Sequence, residues 1–180
     1  MSDHQDSHQD PSDNKLAQTY EKMAAKAREI FAESSEKTLA SLEKAIEAAR
    51  EHFVKAGEIT QKESSHLKFY LRRDLEQAAR HFHELSDTAR ERLQTEKLQA
   101  GFLDLTAQLA HSASDMFSRL AEWAESGAGA YYHTGQVTAP GVLRCRQCDK
   151  EMRFRKTGNI PPCPGCRGTD FRKVSGDPEA

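Results

Sequence analysis

From Leu16 onward, large apolar residues recur at alternating steps of four and three. Leu16, Tyr20, Met23, Ala27 and Ile30 make one series; Leu39, Leu42, Ile46, Ala49 and Phe53 make a second. Such spacing gathers each set on one stripe of an α-helix. The polar stretch Ser34-Ser35-Glu36-Lys37-Thr38 lies between them without Gly or Pro, so a single helix of about 40 residues is expected to run through it. Gly57 reads as its terminator, and Thr60-Gln61-Lys62-Glu63 as a capping box opening the next helix. That helix carries Leu67, Leu71, Leu75, Ala78, Phe82 and Leu85, and Ser86-Asp87-Thr88 with Glu91 signals a break or register change near residue 87. A last stripe runs through Leu98, Phe102, Leu105, Leu109, Met116, Leu120 and Trp123 to Gly127-Ala128-Gly129, with Gly101 marking a bend.

The period then changes. Val142-Leu143-Arg144, Glu151-Met152-Arg153-Phe154-Arg155 and Asp170-Phe171-Arg172-Lys173-Val174 read as three short strands, with Thr157-Gly158-Asn159 as a turn. Residues 130–141 form a linker whose Tyr131 and Tyr132 are expected to dock on the helical bundle or the ribbon, and its mixed β-forming and turn residues suggest a short ordered strand more than a floppy tether. The organisation expected is an acidic disordered tail at 1–14, long helices over 15–129, the linker, a small β ribbon at 142–175 and a disordered tail at 176–180. Narrow apolar stripes cannot be buried by isolated helices. They call for an antiparallel hairpin, a three-helix bundle or coiled coil, or a second chain. The fold class is therefore mainly α with a small C-terminal β ribbon.

Composition sharpens this picture. The chain is 30% charged and 37% hydrophobic with a mean hydropathy of -0.80, which suits long amphipathic helices better than a thick core. Its net charge of -2 hides an asymmetry: residues 137–180 hold 9 basic and 5 acidic side chains, whereas residues 1–14 hold four Asp and no Lys or Arg. No apolar run approaches the roughly 20 residues that span a bilayer, and the polar start lacks the features of a signal peptide. A cytoplasmic location is expected.

The one strong chemical signal is four cysteines in two pairs, Cys145-x2-Cys148 and Cys163-x2-Cys166, separated by fourteen residues. Two tight knuckles at this spacing place four sulfurs around one metal ion. In a reducing compartment such cysteines are metal ligands more often than disulfides. One structural Zn2+ is the expected cofactor; iron uses the same four-sulfur geometry. Four thiolates fill a tetrahedral shell and leave no place for an activated water. Leu143, Met152, Phe154, Ile160, Phe171 and Val174 are the large apolar residues available to the ribbon core. Six side chains are too few to fold it, so the metal supplies much of its stability.

Phe69-Tyr70-Leu71-Arg72-Arg73-Asp74-Leu75, Tyr132-His133-Thr134-Gly135-Gln136-Val137, Pro140-Gly141-Val142-Leu143 and Pro162-Cys163-Pro164-Gly165-Cys166 together resemble the YbeL-like zinc-ribbon family of bacterial proteins of unknown function. The resemblance covers roughly residues 15–175 and implies a long helical part followed by a zinc ribbon. Asp149 and Arg167 follow the knuckles, where such ribbons often carry Gly. Arg72, Arg73 and Asp74 read as a salt-bridged helix face.

No phosphate-binding, nucleotide-binding or hydrolase motif occurs. A non-enzymatic interaction or scaffold protein is expected, with a protein partner or self-association through the helices. The alternative is nucleic-acid binding by the basic ribbon, with Phe154 and Phe171 as possible stacking groups. Neither a membrane nor a small-molecule substrate is indicated.

Overall fold

The computed structural model describes residues 11–84, 101–112 and 131–174. Its helices are α1 (Pro11–Glu33), α2 (Leu39–Lys55), α3 (Gln61–Glu84) and α4 (Gly101–Ser112). The strands are β1 (Tyr131–His133), β2 (Val137–Thr138), β3 (Gly141–Cys145), β4 (Glu151–Phe154), β5 (Gly158–Asn159) and β6 (Asp170–Val174). The protein is thus mainly α with a small β ribbon. The break expected near residue 87, the tail at 176–180 and the end of the last stripe lie outside the described residues.

The single helix expected across Ser34–Thr38 is two helices. Local side chains explain the break. Lys37 Nζ folds back to donate to the carbonyls of Phe31, Ala32 and Ser34, serving groups that the end of α1 leaves without partners. Thr38 then caps α2: its Oγ1 accepts from Ser41 N–H at 3.2 Å, while Ser41 Oγ accepts from Thr38 N–H at 2.9 Å. With both ends satisfied, α2 packs back on α1. Tyr20, Met23, Ala27 and Phe31 are thereby buried together with Leu42, Ile46, Ala49 and Phe53. The helix also starts earlier than expected, at Pro11, inside the stretch assigned to the acidic tail. Proline suits a first turn because the missing N–H has no intrahelical role there.

The caps around α3 follow the sequence pattern. Gly57 has φ +71, and Glu63 Oε2 accepts from Thr60 N–H at 2.8 Å while Thr60 Oγ1 accepts from Glu63 N–H at 3.2 Å. Gly101 has a different role from the bend expected of it. A Cβ there would lie 2.3 Å from the Glu21 carbonyl oxygen and 2.9 Å from Ala25 Cβ, so the glycine lets α4 approach α1 closely. Gly101→Ala should therefore lose stability by about 1–3 kcal/mol, the usual cost of overpacking, although alanine favours helix by about 1 kcal/mol. Urea unfolding would decide between these, and a variant more stable than wild type would contradict the close-packing account.

The stretch read as a linker contains two short strands. β1 pairs with β6, and β2 pairs with β5, which occupies part of the expected Thr157–Asn159 turn. The larger sheet is antiparallel with order β1-β6-β3-β4. Val137 and Ala139 sit in the same buried cluster as the helical core. The helices and the ribbon therefore share an interior.

Candidate metal centre and its anchorage

β3 delivers Cys145 into the first knuckle, and the stiff Pro161-Pro162 segment leads to Cys163 in the second. The two knuckles repeat one geometry. Asp149 N–H donates to the Cys145 carbonyl at 3.1 Å, and Arg167 N–H donates to the Cys163 carbonyl at 2.8 Å. Asp149 and Arg167 have φ of 56 and 61, left-handed values that usually favour glycine. These are the two positions where such ribbons often carry Gly, and the knuckle turn imposes the conformation.

All four sulfurs lie within 4.8 Å of one another. Cys145 Sγ and Cys166 Sγ are 3.6 Å apart, and Cys148 Sγ and Cys163 Sγ are 3.5 Å apart. A tetrahedron with Zn–S bonds of about 2.3 Å has edges of about 3.8 Å, so the cluster fits that ion. Backbone N–H groups of Gln147, Gly165 and Gly168 each point at a sulfur at 3.4 Å. They offset thiolate charge. Amides of Cys166 and Gly165 bring the Cys163 thiol down to about 6. The Gly168 amide pulls Cys166 down as well, yet its crowded thiol neighbours and burial push it up to about 12.

The ribbon core contains Leu143, Met152, Ile160 and Phe171, as the sequence suggests, with Phe154 packed against it. It also takes Tyr132, Cys145 and Cys163, while Val174 is only half-buried. Tyr132 is the link to the helices.

That link is a buried polar cluster centred on Asp74 of α3. Its carboxylate accepts from the hydroxyls of Tyr20 on α1, at 3.0 Å, and Tyr132 on β1, at 2.8 Å. It also accepts from Ala139 N–H at 2.8 Å and from Arg73 Nε at 3.1 Å. Arg73 donates onward to Gln136 Oε1 at 2.7 Å and to the Val137 carbonyl at 2.8 Å, and its guanidinium stands 3.7 Å from the Tyr132 ring centroid. Lys173 Nζ, from β6, donates to the Ala139 carbonyl at 2.9 Å and reaches Thr138 Oγ1 at 3.3 Å. Gly141 opens its path: a Cβ there would sit 2.6 Å from Lys173 Cε.

The exposed salt-bridged face expected of residues 72–74 is thus corrected for Arg73 and Asp74, which are 3% and 1% exposed. Arg72 keeps the expected surface role, pairing with Glu43 and Glu76. Adjacent residues diverge by about 100° around a helix, so neighbouring arginines can meet different environments.

Burial would raise the Asp74 carboxyl, but the Lys173 and Arg73 charges, the Ala139 N–H and the Tyr132 hydroxyl outweigh it and hold it below its ordinary value. Burial, then Asp74, pushes Tyr20 and Tyr132 well above theirs. Burial lowers Lys173 to about 8, with Asp74 opposing the fall and Arg73 assisting it.

A depressed folded-state carboxyl contributes stability that is fully present above its unfolded value near 4 and is lost as pH falls through the folded value. The stability gap between wild type and Asp74→Asn should therefore be constant from about pH 5 to 7 and narrow in stronger acid. Paired urea titrations across that range provide the check; a gap that widens with acid would have the wrong sign.

Comparison with known proteins places this arrangement. The profile of a family described as a zinc-ribbon containing domain matches residues 29–175. The chain belongs to that zinc-ribbon family. The uncharacterized protein YbeL of Escherichia coli strain K12 is 28% identical over 169 residues, covering 92% of this chain and 99% of the relative. YbeL proteins from the O6:H1 and O157:H7 strains match equally well. No solved structure matches the chain. Family membership and the sulfur geometry together assign Cys145, Cys148, Cys163 and Cys166 to a structural Zn site. Among the described residues no helix is long and apolar enough to cross a membrane.

The sequence segments behind the family resemblance converge at the Asp74 junction. Arg73 and Asp74 come from one, Tyr132, Gln136 and Val137 from another. Gly141 from a third segment gives Lys173 its passage.

Proposed function

We propose that the chain is a non-enzymatic binding module, with zinc keeping the ribbon rigid and the Asp74 junction fixing it on a helical scaffold. The observation that carries this reading is the commitment of the strongest polar groups to architecture. Four thiolates complete the shell of one metal and leave no coordination position for a substrate or an activated water. Asp74, Arg73, Tyr20 and Tyr132 spend their hydrogen bonds on one another and on the backbone between helices and ribbon. What remains available for recognition is the surface, above all the outward face of the four-stranded sheet.

Charge reversal on that face tests the reading. Arg146→Glu with Arg172→Glu should abolish partner capture by the zinc-loaded protein while leaving zinc content and thermal midpoint unchanged. Capture that persists in this variant would place binding elsewhere.

A further inference from the structure

The outward face of the sheet has a chemistry of its own. Residues directly opposite one another in antiparallel strands share a face. The register sets Tyr131 beside Arg172, Arg172 beside Arg144, and Arg144 beside Glu151, making one row across all four strands. Strands lie about 4.8 Å apart, so the row is about 15 Å long. Alternate residues Tyr132, Phe171, Cys145 and Met152 point the other way into the core. On the outward side Val142 is buried, whereas Tyr131 and Arg172 are exposed.

Tyr131 is 48% exposed although the ribbon has few aromatic groups with which to build a core. Arg146 stands 4.9 Å from its ring centroid. The two phenylalanines considered as stacking groups do not serve: Phe171 is fully buried and Phe154 packs on the core, so neither presents a free ring.

We infer that this face binds single-stranded nucleic acid, with Tyr131 stacking on a base and Arg146, Arg172 and Arg144 meeting the phosphates. The inference rests on the binding-module reading and supplies its partner class. An exposed tyrosine offers a π-surface to an unstacked base, which a duplex does not present. The charge balance is favourable. Asp149, Glu151 and Asp170 are the ribbon's acidic residues over 142–174, and Lys150, Arg155, Lys156 and Arg167 add exposed positive charge beyond the row. The three carboxylates already hold partners: Asp149 lies 3.6 Å from Arg172, Glu151 lies 2.6 Å from Arg144, and Asp170 lies 2.8 Å from His133. Exposed ion pairs of this kind are weak, so a phosphate can take over their arginines. The -2 charge of a four-thiolate zinc site does not cancel the basic excess.

Fluorescence anisotropy on the zinc-loaded full chain tests the inference, using labelled dT12, U12 and a 12-base-pair duplex as probes. Both single strands should bind better than the duplex, and the difference between dT12 and U12 reports which sugar is preferred. Tyr131→Ala should weaken single-strand binding about 5- to 150-fold, the range for losing one stacked base, while Tyr131→Phe retains it. Arg146→Ala and Arg172→Ala should each reduce the salt slope by about 0.7. Unchanged zinc content and thermal midpoint establish that the variants are folded, and Arg146→Ala carries the test should Tyr131→Ala fail that control.

No single-strand binding at 50 mM salt, equal binding of the duplex, or indifference to both Tyr131→Ala and Arg146→Ala would overturn the inference. A photo-crosslinker placed at Arg172 separates that failure from failure of the underlying reading. Capture of a protein, lost on Arg146→Glu, with no oligonucleotide bound, rejects nucleic acid and leaves a protein-binding module. Absence of both rejects both.

Discussion

Asp74→Ala is expected to destabilise the zinc-loaded protein by about 3–5 kcal/mol, the cost of removing one partner from a buried ion pair. The substitution removes little volume but leaves Arg73 and the Lys173 ammonium without their shared counter-charge. It also strips the acceptor from Tyr20, Tyr132 and Ala139 N–H, which belong to α1, β1 and the backbone after β2. Buried donors left without an acceptor add about 1–3 kcal/mol each before relaxation, so water entry will set the final figure. Urea unfolding measures the change, and a loss below about 1 kcal/mol would show that the junction is not held by this carboxylate. Tyr132→Phe is a milder probe of the same cluster: it keeps the ring beside Arg73 and deletes one donor, at an expected cost of about 1–2 kcal/mol.

Zinc removal should have the larger effect. Structural zinc binding contributes about 10–16 kcal/mol in small domains, and this ribbon core has little else to replace it. Cys163→Ser with Cys166→Ser should leave the ribbon unfolded at neutral pH. The loss should also spread. β1 and β6 pair with each other and carry Tyr132 and Lys173, so melting the ribbon withdraws both from Asp74. The α1–α2 hairpin buries its own stripe and should retain helix. Limited proteolysis reads the difference: rapid cleavage within 131–174 of the chelated or double-serine protein, against resistance with zinc bound. Equal resistance would contradict zinc dependence.

The parts legible in the sequence were those governed by local rules. Helical stripes, the Gly57 stop, the Thr60–Glu63 cap and the cysteine spacing all depend on near neighbours, and each appears as far as the described residues reach. The hairpin break after Glu33 was obscured because Ser, Lys and Thr do not forbid helix. They end it here through specific bonds from Lys37 and Thr38. The Asp74 junction was hidden for another reason. An Arg-Asp pair on an amphipathic helix is ordinarily solvated, and its burial depends on tyrosines 54 and 58 residues away in the chain. One cue was available: the mixed β-forming and turn residues of the linker suggest a short ordered strand, and β1 and β2 lie within that stretch. The exposed face of the sheet likewise needed the strand register, because the sequence offers Phe154 and Phe171 for stacking only if they lie outside the core and reads Tyr131 as docked.

One dependence is central to the fold: the metal site holds the ribbon, and the ribbon completes the Asp74 junction. Ala139 N–H reports on it directly, since it donates to Asp74 Oδ2 at 2.8 Å. Hydrogen exchange at this amide should be slow with zinc bound and approach the unfolded-chain rate after chelation, while the Leu71 amide within α3 remains protected. Unchanged protection of Ala139 without zinc would contradict the account.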